Sequence, residues 1–361
     1  MKERLVIIQT TTPHYRSAFF QQLQKVLGDR FTLYAGDRYF ESSITSDFES
    51  INAKRLKNYF LLKKKLLFQT GHWHLLFSKA VLVLELNPRI VSNWMFAVIR
   101  AVFRRKTVFW GHAWPRAGKE AGTDTLRHAM RKMASAIIVY THKQRQELQE
   151  KMPNKQVFAA PNALYRKDQM EAQATSTHPR HLIYVGRLTS EKKPFFMVKA
   201  FAKAAETLPD DVQLWVVGAG EQSEQIENWC HAHPMRDRIR LFGEISNYEE
   251  LRTLYTQSLF SISPGYVGLS ITQSLGFGVP MLVSREENHS PEIEALQEGE
   301  NAVFFDTDSE MDFTEQLQRI YRQQDEWIAK RKEISKRCAN AYSVEEMAAP
   351  FISLIEPADE S

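Results

Sequence analysis

Two cations five residues apart, Arg187 and Lys192, follow an apolar run that ends in Tyr184-Val185-Gly186. If that run is a strand, the glycine lets the backbone come close to a ligand and the cations stand at the strand's carboxyl end. Arginine offers a planar fork for phosphate oxygens and lysine a compact charge, so the pair suits a diphosphate that is held and then leaves. Taken alone, the pattern fits a solvated basic loop as well. A second segment runs from Ser263 to Pro280 and carries Gly265-Tyr266-Val267-Gly268 before a predicted short helix that starts near Leu269. The positive end of that helix would receive the same phosphates. A third, from Trp215 to Glu221, is a strand running into a glycine turn at Gly218, and a plain tight turn between strand and helix is the competing reading.

Fewer residues of this kind occur in the first half. Phe109-Trp110-Gly111 leads into His112, a residue type that titrates near working pH and can hydrogen-bond a ligand or steady developing charge. Satisfaction by local backbone groups is the alternative. The loop Thr10-Thr11-Thr12-Pro13-His14-Tyr15-Arg16 follows the first apolar run, so His14, Tyr15 and Arg16 are candidates for contacting an acceptor, or else the start of a helix.

These residues need elements to hold them. At 361 residues, with 43% hydrophobic and 25% charged residues, the chain has the composition of a globular protein of two domains. Strand-like runs at 5–8, 31–34, 80–84, 107–110, 136–140 and 157–160 alternate with helical patterns such as 17–27. Alternation restarts at 181–185 and continues through 213–217, 239–242, 259–263 and 280–283. This order predicts an α/β protein made of two doubly wound, Rossmann-like parallel sheets facing a central cleft. The expected boundaries are an acceptor-binding domain over 1–165, a polar linker over 166–179, a donor-binding domain over 180–342 and a last helix over 343–361 that returns to the first domain. A net charge of +4 is too small for a nucleic-acid binder that works by phosphate neutralisation. Two distant cysteines, Cys230 and Cys338, give neither a disulfide framework nor zinc spacing. The run Leu5-Val6-Ile7-Ile8 is too short for a signal peptide or a membrane span, so the expected location is cytoplasmic.

Residues 181–310 resemble the donor domain of the retaining GT-B glycosyltransferases of family four (group 1). Tyr184-Val185-Gly186-Arg187-Leu188 with Glu191-Lys192, Val216-Val217-Gly218-Ala219-Gly220, Leu241-Phe242-Gly243, Gly278-Val279-Pro280, and Pro291-Glu292 with Glu298-Gly299 match its motifs in order. The resemblance implies that Arg187 and Lys192 bind the donor diphosphate, that backbone at Glu244 and Ile245 holds the base, and that Glu292 faces the site. It also implies GT-B architecture, retention of configuration and a histidine such as His112 in the active site. One departure matters. The family's pair of glutamates falls on Gly265 and Gln273, so contact with the transferred sugar and the ribose is altered, and Gln273 keeps an amide able to hydrogen-bond a ribose hydroxyl.

Residues 54–68 hold six basic residues, no acidic one, and interleaved leucine and aromatics, a pattern that suits an interfacial helix on anionic lipid or a core-packed helix with a basic face. With the membrane reading the acceptor is a lipid-linked glycan and the protein is peripheral on the inner face of the cytoplasmic membrane. The expected function is transfer of a hexose from a nucleoside diphosphate sugar to a saccharide in bacterial surface polysaccharide assembly, with no cofactor and no metal required. A catalytically silent relative in a synthase complex and a nucleotide-sugar epimerase are the alternatives.

Overall fold

The computed structural model describes residues 3–40, 45–115, 118–174 and 178–355. The chain divides into two compact units: one holds residues up to Leu164 and those from Val344 onward, the other holds Tyr165–Ser343.

The first unit contains strands β1 (Leu5–Gln9), β2 (Phe31–Ala35), β3 (Lys54–Arg55), β4 (Lys57–Leu61), β5 (Leu66–Thr70), β6 (Val81–Glu85), β7 (Thr107–Trp110), β8 (Ala136–Val139) and β9 (Gln156–Ala159), with helices α1 (Ser17–Leu27), α2 (Val91–Val102), α3 (Asp124–Met133) and α4 (His142–Lys151). Seven strands pair in parallel in the order β3-β2-β1-β6-β7-β8-β9. Strands β1, β7 and β8 are buried along their whole length, as expected of runs that do not alternate with polar residues. On α1, Phe19, Phe20, Leu23 and Leu27 recur at helical spacing and are all buried. Strand order reverses between β1 and β6, which sets this unit's switch point at the loops that follow them.

Residues 54–68 are not a helix. They form β3 and an antiparallel hairpin, β4 with β5, in the register Lys57 to Thr70, Tyr59 to Phe68 and Leu61 to Leu66. The period is two because the hairpin has one face to bury. Phe60 packs on Phe40, Leu67 is fully buried, and the Gln69 amide donates to Asn58, whose own amide donates to the Thr10 carbonyl. At the tip Leu62, Lys63 and Lys64 all take positive φ, at 48°, 53° and 63°, and the Arg89 guanidinium donates to the Lys64 and Lys65 carbonyls.

A short turn after β5 buries His72 against Phe96 on α2, ring centroids 4.7 Å apart. Burial, and then His74, push its pKa down from 6.5 to about 4. The unfolded chain therefore binds a proton below pH 6.5 that the folded chain refuses until about pH 4, so stability falls as pH drops through that window. The whole effect is about 3 kcal/mol. His72→Phe, which keeps the stacking, should remove this acid-side slope in urea unfolding measured between pH 4 and 6.5.

The second unit contains β10 (His181–Val185), β11 (Leu214–Val217), β12 (Ile239–Gly243), β13 (Ser258–Ser263), β14 (Met281–Ser284) and β15 (Ala302–Phe305), with α5 (Pro194–Ala204), α6 (Ser223–Ala232), α7 (Tyr248–Gln257), α8 (Ser270–Gly276), α9 (Glu310–Arg322) and α10 (Gln324–Tyr342). Its parallel sheet runs β12-β11-β10-β13-β14-β15, so the switch point lies between β10 and β13. Phe201, Phe260, Phe305, Phe313 and Trp327 are central to its core.

The described part of 166–179 is not a free linker. Its flanking Tyr165 hydrogen-bonds Gln273, Met170 is buried in the cluster around Ile271 and Leu275, the Ala172 N–H donates to Ser335, and the Tyr248 hydroxyl donates to the Gln169 carbonyl. Polar composition hid these anchors. After Tyr342 a last helix, α11 (Val344–Ser353), belongs to the first unit, where the Phe351 ring meets Phe19 at 5.1 Å and Trp110 at 4.9 Å.

Candidate functional site

In the second unit, loops after five neighbouring strands interlock through their backbones. The Gly186 N–H donates to the Val217 carbonyl, the Leu188 N–H to Ala219, the Gln222 N–H to Leu188, and the Gly218 N–H to Gly243. Glycine is forced at Gly218: φ is +144°, and a Cβ there would stand 1.9 Å from the Gly186 carbonyl oxygen. Glu244 and Ile245 follow directly, the first exposed and the second half-buried against the cluster that holds Trp215, Val217 and Leu251.

Across the switch point, the Tyr266 N–H donates to the Glu191 carbonyl at 2.9 Å, and the Lys192 ammonium donates to the Tyr266 carbonyl at 3.1 Å while lying 5.1 Å from that tyrosine's ring centre. Arg187 is 71% exposed and pairs only loosely with Glu191, at 3.7 Å. Lys192 is half-buried, and desolvation first, then Arg187, lower its pKa. The neighbouring Lys193 is spent differently. It sits at φ 51° and bridges Glu287 at 2.6 Å and Asp308 at 2.7 Å. Two adjacent lysines thus have opposite fates: Lys193 is paired with two carboxylates, and Lys192 with none among the described residues.

His289, which sequence reading missed, holds the glycine loop from its other side. Its Nε2 lies 2.9 Å from the Ser284 carbonyl and its Nδ1 3.3 Å from the Val267 nitrogen, an arrangement that fixes the neutral tautomer with Nε2 as donor. The Ser290 N–H also donates to the Val267 carbonyl, which brings the turn Pro291–Ala295, with its buried Glu292, up to the loop. The helix that follows Leu269, α8, has only seven residues. Its dipole is correspondingly short, so the helix end by itself offers little positive charge.

Gly265 leaves no room for a side chain. A Cβ would stand 2.5 Å from the Glu191 carbonyl oxygen and 2.7 Å from the Lys192 carbonyl carbon, so the segment that carries Lys192 occupies the space a glutamate would need. Gln273 is buried and turns inward: its amide donates to the Tyr165 hydroxyl at 2.7 Å and accepts from the Tyr255 hydroxyl at 3.4 Å.

In the first unit the expected acceptor residues part company. His14 lies 2.7 Å from Asp47, whose carboxyl is held down to about 2 chiefly by that contact, and the His14 carbonyl accepts from Ser17 at the start of α1. Arg16 stacks 4.6 Å from the centre of Trp110 and donates to Gln9, Tyr140 and Asn162. Tyr15 remains exposed. Glu85, at the end of β6, accepts the Thr10 N–H across the switch point, and burial pushes its carboxyl pKa up against that bond and the Arg16 cation. A lone carboxylate closing the apolar run Val81–Glu85 was the signal available for it. His112 is exposed after β7 with its ring against Tyr140; partial desolvation of the ring, then Arg127 and Arg16, lower its pKa, which favours the neutral form at working pH.

Residues 166–341 match the family described as glycosyl transferases, group 1. No curated protein matches the sequence. Among solved structures, the chain is similar to Anabaena HepE in complex with UDP (11% identity, 98% of this chain and 99% of that chain covered, TM-score 0.67) and to the lipopolysaccharide outer core galactosyltransferase WaaB (12%, 98% and 99%, 0.66). It is also similar to the pneumococcal O-GlcNAc transferase GtfA in complex with UDP and GlcNAc (17% identity, TM-score 0.57), covering 78% of this chain but spanning only 57% of that one. The fold is therefore the GT-B fold of these solved structures, and the match to the group 1 family falls within the second unit.

Proposed function

We propose that the protein is a retaining glycosyltransferase that moves a hexose from a nucleoside diphosphate sugar to a saccharide. The observation that carries this reading is the half-buried Lys192, paired with no carboxylate among the described residues, beside the exposed Arg187 at the switch point of the second unit. Backbone at Glu244 and Ile245 takes the base, and Glu292 and the loop Gly265–Leu269 take the donor sugar. In the transfer, the bond between the anomeric carbon and the diphosphate oxygen breaks while the acceptor oxygen bonds that carbon from the same face, and the acceptor proton passes to the departing phosphate. Arg187 and Lys192 absorb the developing charge, so the scheme calls on no metal. Neutral His112 offers a hydrogen bond to the sugar, and Tyr15 is the group left to meet the acceptor, since His14 and Arg16 are held by Asp47 and by Gln9, Tyr140 and Asn162.

HepE and GtfA in their UDP complexes support a uridine donor as the first to try, and WaaB supports a cell-surface polysaccharide as the product, made on a lipid-linked acceptor at the inner face of the cytoplasmic membrane. Gly265 and Gln273, where the resemblance implies glutamates, favour one other reading, a silent nucleotide-binding partner in a synthase complex. Thermal unfolding with UDP and UDP-sugars checks both. A ligand at 100 times its Kd stabilises the native state by about 2.7 kcal/mol, so a bound donor raises the Tm by several degrees. Slow release of UDP from a stabilising donor supports the transferase, binding without turnover supports the silent partner, and no shift with any nucleoside diphosphate overturns both.

A further inference from the structure

Between Lys54 and Lys106 the chain has twelve lysines and arginines and one acidic residue, Glu85. Arg100 is buried, where it donates to the Leu75, Ala80 and Lys106 carbonyls, Arg89 donates to the Lys64 and Lys65 carbonyls, and Lys106 pairs with Glu3; Lys63, Lys64 and Lys65 are exposed at the hairpin tip. The same stretch holds eight of the twelve large hydrophobic residues exposed among the described residues. Leu62 is 69% exposed at the hairpin tip with Lys63, Lys64 and Lys65 beside it, and Tyr59 and Leu61 share the outward face of β4. On α2, Met95, Val98 and Val102 fall at helical spacing and are exposed, and Phe103 beyond the helix end meets the exposed Phe77 edge to face at 5.0 Å.

These parts form one neighbourhood. The Leu67 N–H donates to the Arg89 carbonyl just before α2, Ser92 on α2 accepts the Gln69 N–H, and Phe68, Trp73 and Phe96 stack in a row that joins hairpin, turn and helix. Arg100 then ties the end of α2 to the turn that presents Phe77. The apolar residues are thus carried by a braced frame and remain unburied in spite of it. A monomer that only needed solubility would not place eight large apolar side chains on its most basic surface.

We infer that the outer face of the β4–β5 hairpin together with that of α2 is a docking surface for an anionic lipid bilayer. Leucine, phenylalanine and valine enter the acyl boundary while the surrounding lysines and arginines meet acidic headgroups. Charge decides the occupant, because a neutral protein partner would not need so one-sided a rim and a second copy of the same face would repel it. No helix among the described residues is long and apolar enough to cross a membrane, so contact of this kind is peripheral. The inference deepens the proposed function, since it brings the enzyme to a surface that carries lipid-linked acceptors.

Co-sedimentation of the full chain with vesicles of phosphatidylcholine containing 30% phosphatidylglycerol, and with pure phosphatidylcholine, tests it. Binding is expected to the anionic vesicles and to weaken with salt. The triple variant Lys63→Ser, Lys64→Ser, Lys65→Ser should reduce it by about tenfold or more. Leu62→Ser with Val98→Ser and Val102→Ser, all at exposed positions, should reduce it comparably, and both variants should keep the thermal shift given by UDP, which reads the other unit. Vesicle binding equal in the wild type and both variants overturns the inference, as does an absence of binding to anionic vesicles. Self-association in light scattering that the same substitutions abolish also overturns it, in favour of an interface between copies.

Discussion

Lys192→Ala is expected to abolish the thermal stabilisation given by UDP and to lower the transfer rate by roughly 100-fold, the usual loss when one donor to a developing anion is removed. Lys192 is half-buried and partly desolvated, and Arg187 beside it raises the cost of its charge. A diphosphate that arrives there relieves both penalties, which is why its binding should depend so strongly on this side chain. The control lies one residue away. Lys193→Ala breaks the bridges to Glu287 and Asp308 and lowers the starting Tm, but leaves the UDP-induced shift in place, since that ammonium is already neutralised. Equal shifts in the wild type and Lys192→Ala would place the phosphate site elsewhere.

Gly265→Glu, which installs the residue that the family resemblance implies at this position, should impair the protein. Its Cβ would stand within 2.5 Å of the Glu191 carbonyl oxygen, a backbone atom with no rotamer to escape to. Overpacking of this kind costs about 1–3 kcal/mol, and relief comes only by moving the Glu191–Lys192 segment, whose ammonium is the one proposed to hold the diphosphate. Calorimetry should therefore show a lower Tm, and the UDP-induced shift should shrink with it. Gln273→Glu is the milder change, because a carboxylate there can accept from both the Tyr165 and Tyr255 hydroxyls that now meet the amide. A Gly265→Glu protein with undiminished Tm and faster transfer would show that the segment 189–192 yields readily.

Much of this was legible in the chain itself. Helix α1 was expected over 17–27 and is found as Ser17–Leu27, and β10 was expected over 181–185 and is found as His181–Val185, because apolar spacing in both is strict. Glycine punctuation marked the loops at Gly186, Gly218 and Gly265, where close backbone approach leaves no room for a side chain at Gly218 and Gly265. The β4–β5 hairpin escaped notice for two reasons. Apolar residues occupy both of its faces, which blurs a period of two, and its turn uses Leu62, Lys63 and Lys64 at positive φ where glycine or asparagine would have announced it. The anchoring of Tyr165, Met170 and Ala172 was hidden because three contacts, not a pattern, fix that stretch. Partners such as His289 for Val267 and Glu85 for Thr10 are set by strand order, which no local spacing encodes.

Helix α11 reverses the order in which the protein can be finished during synthesis. Residues from Val344 onward leave the ribosome only after every strand of the second sheet, yet Phe351 is needed to close over Phe19 and Trp110. The portion made first is thus completed last, and until then it waits with an aromatic cleft open to chaperones, while the portion made second can already be whole.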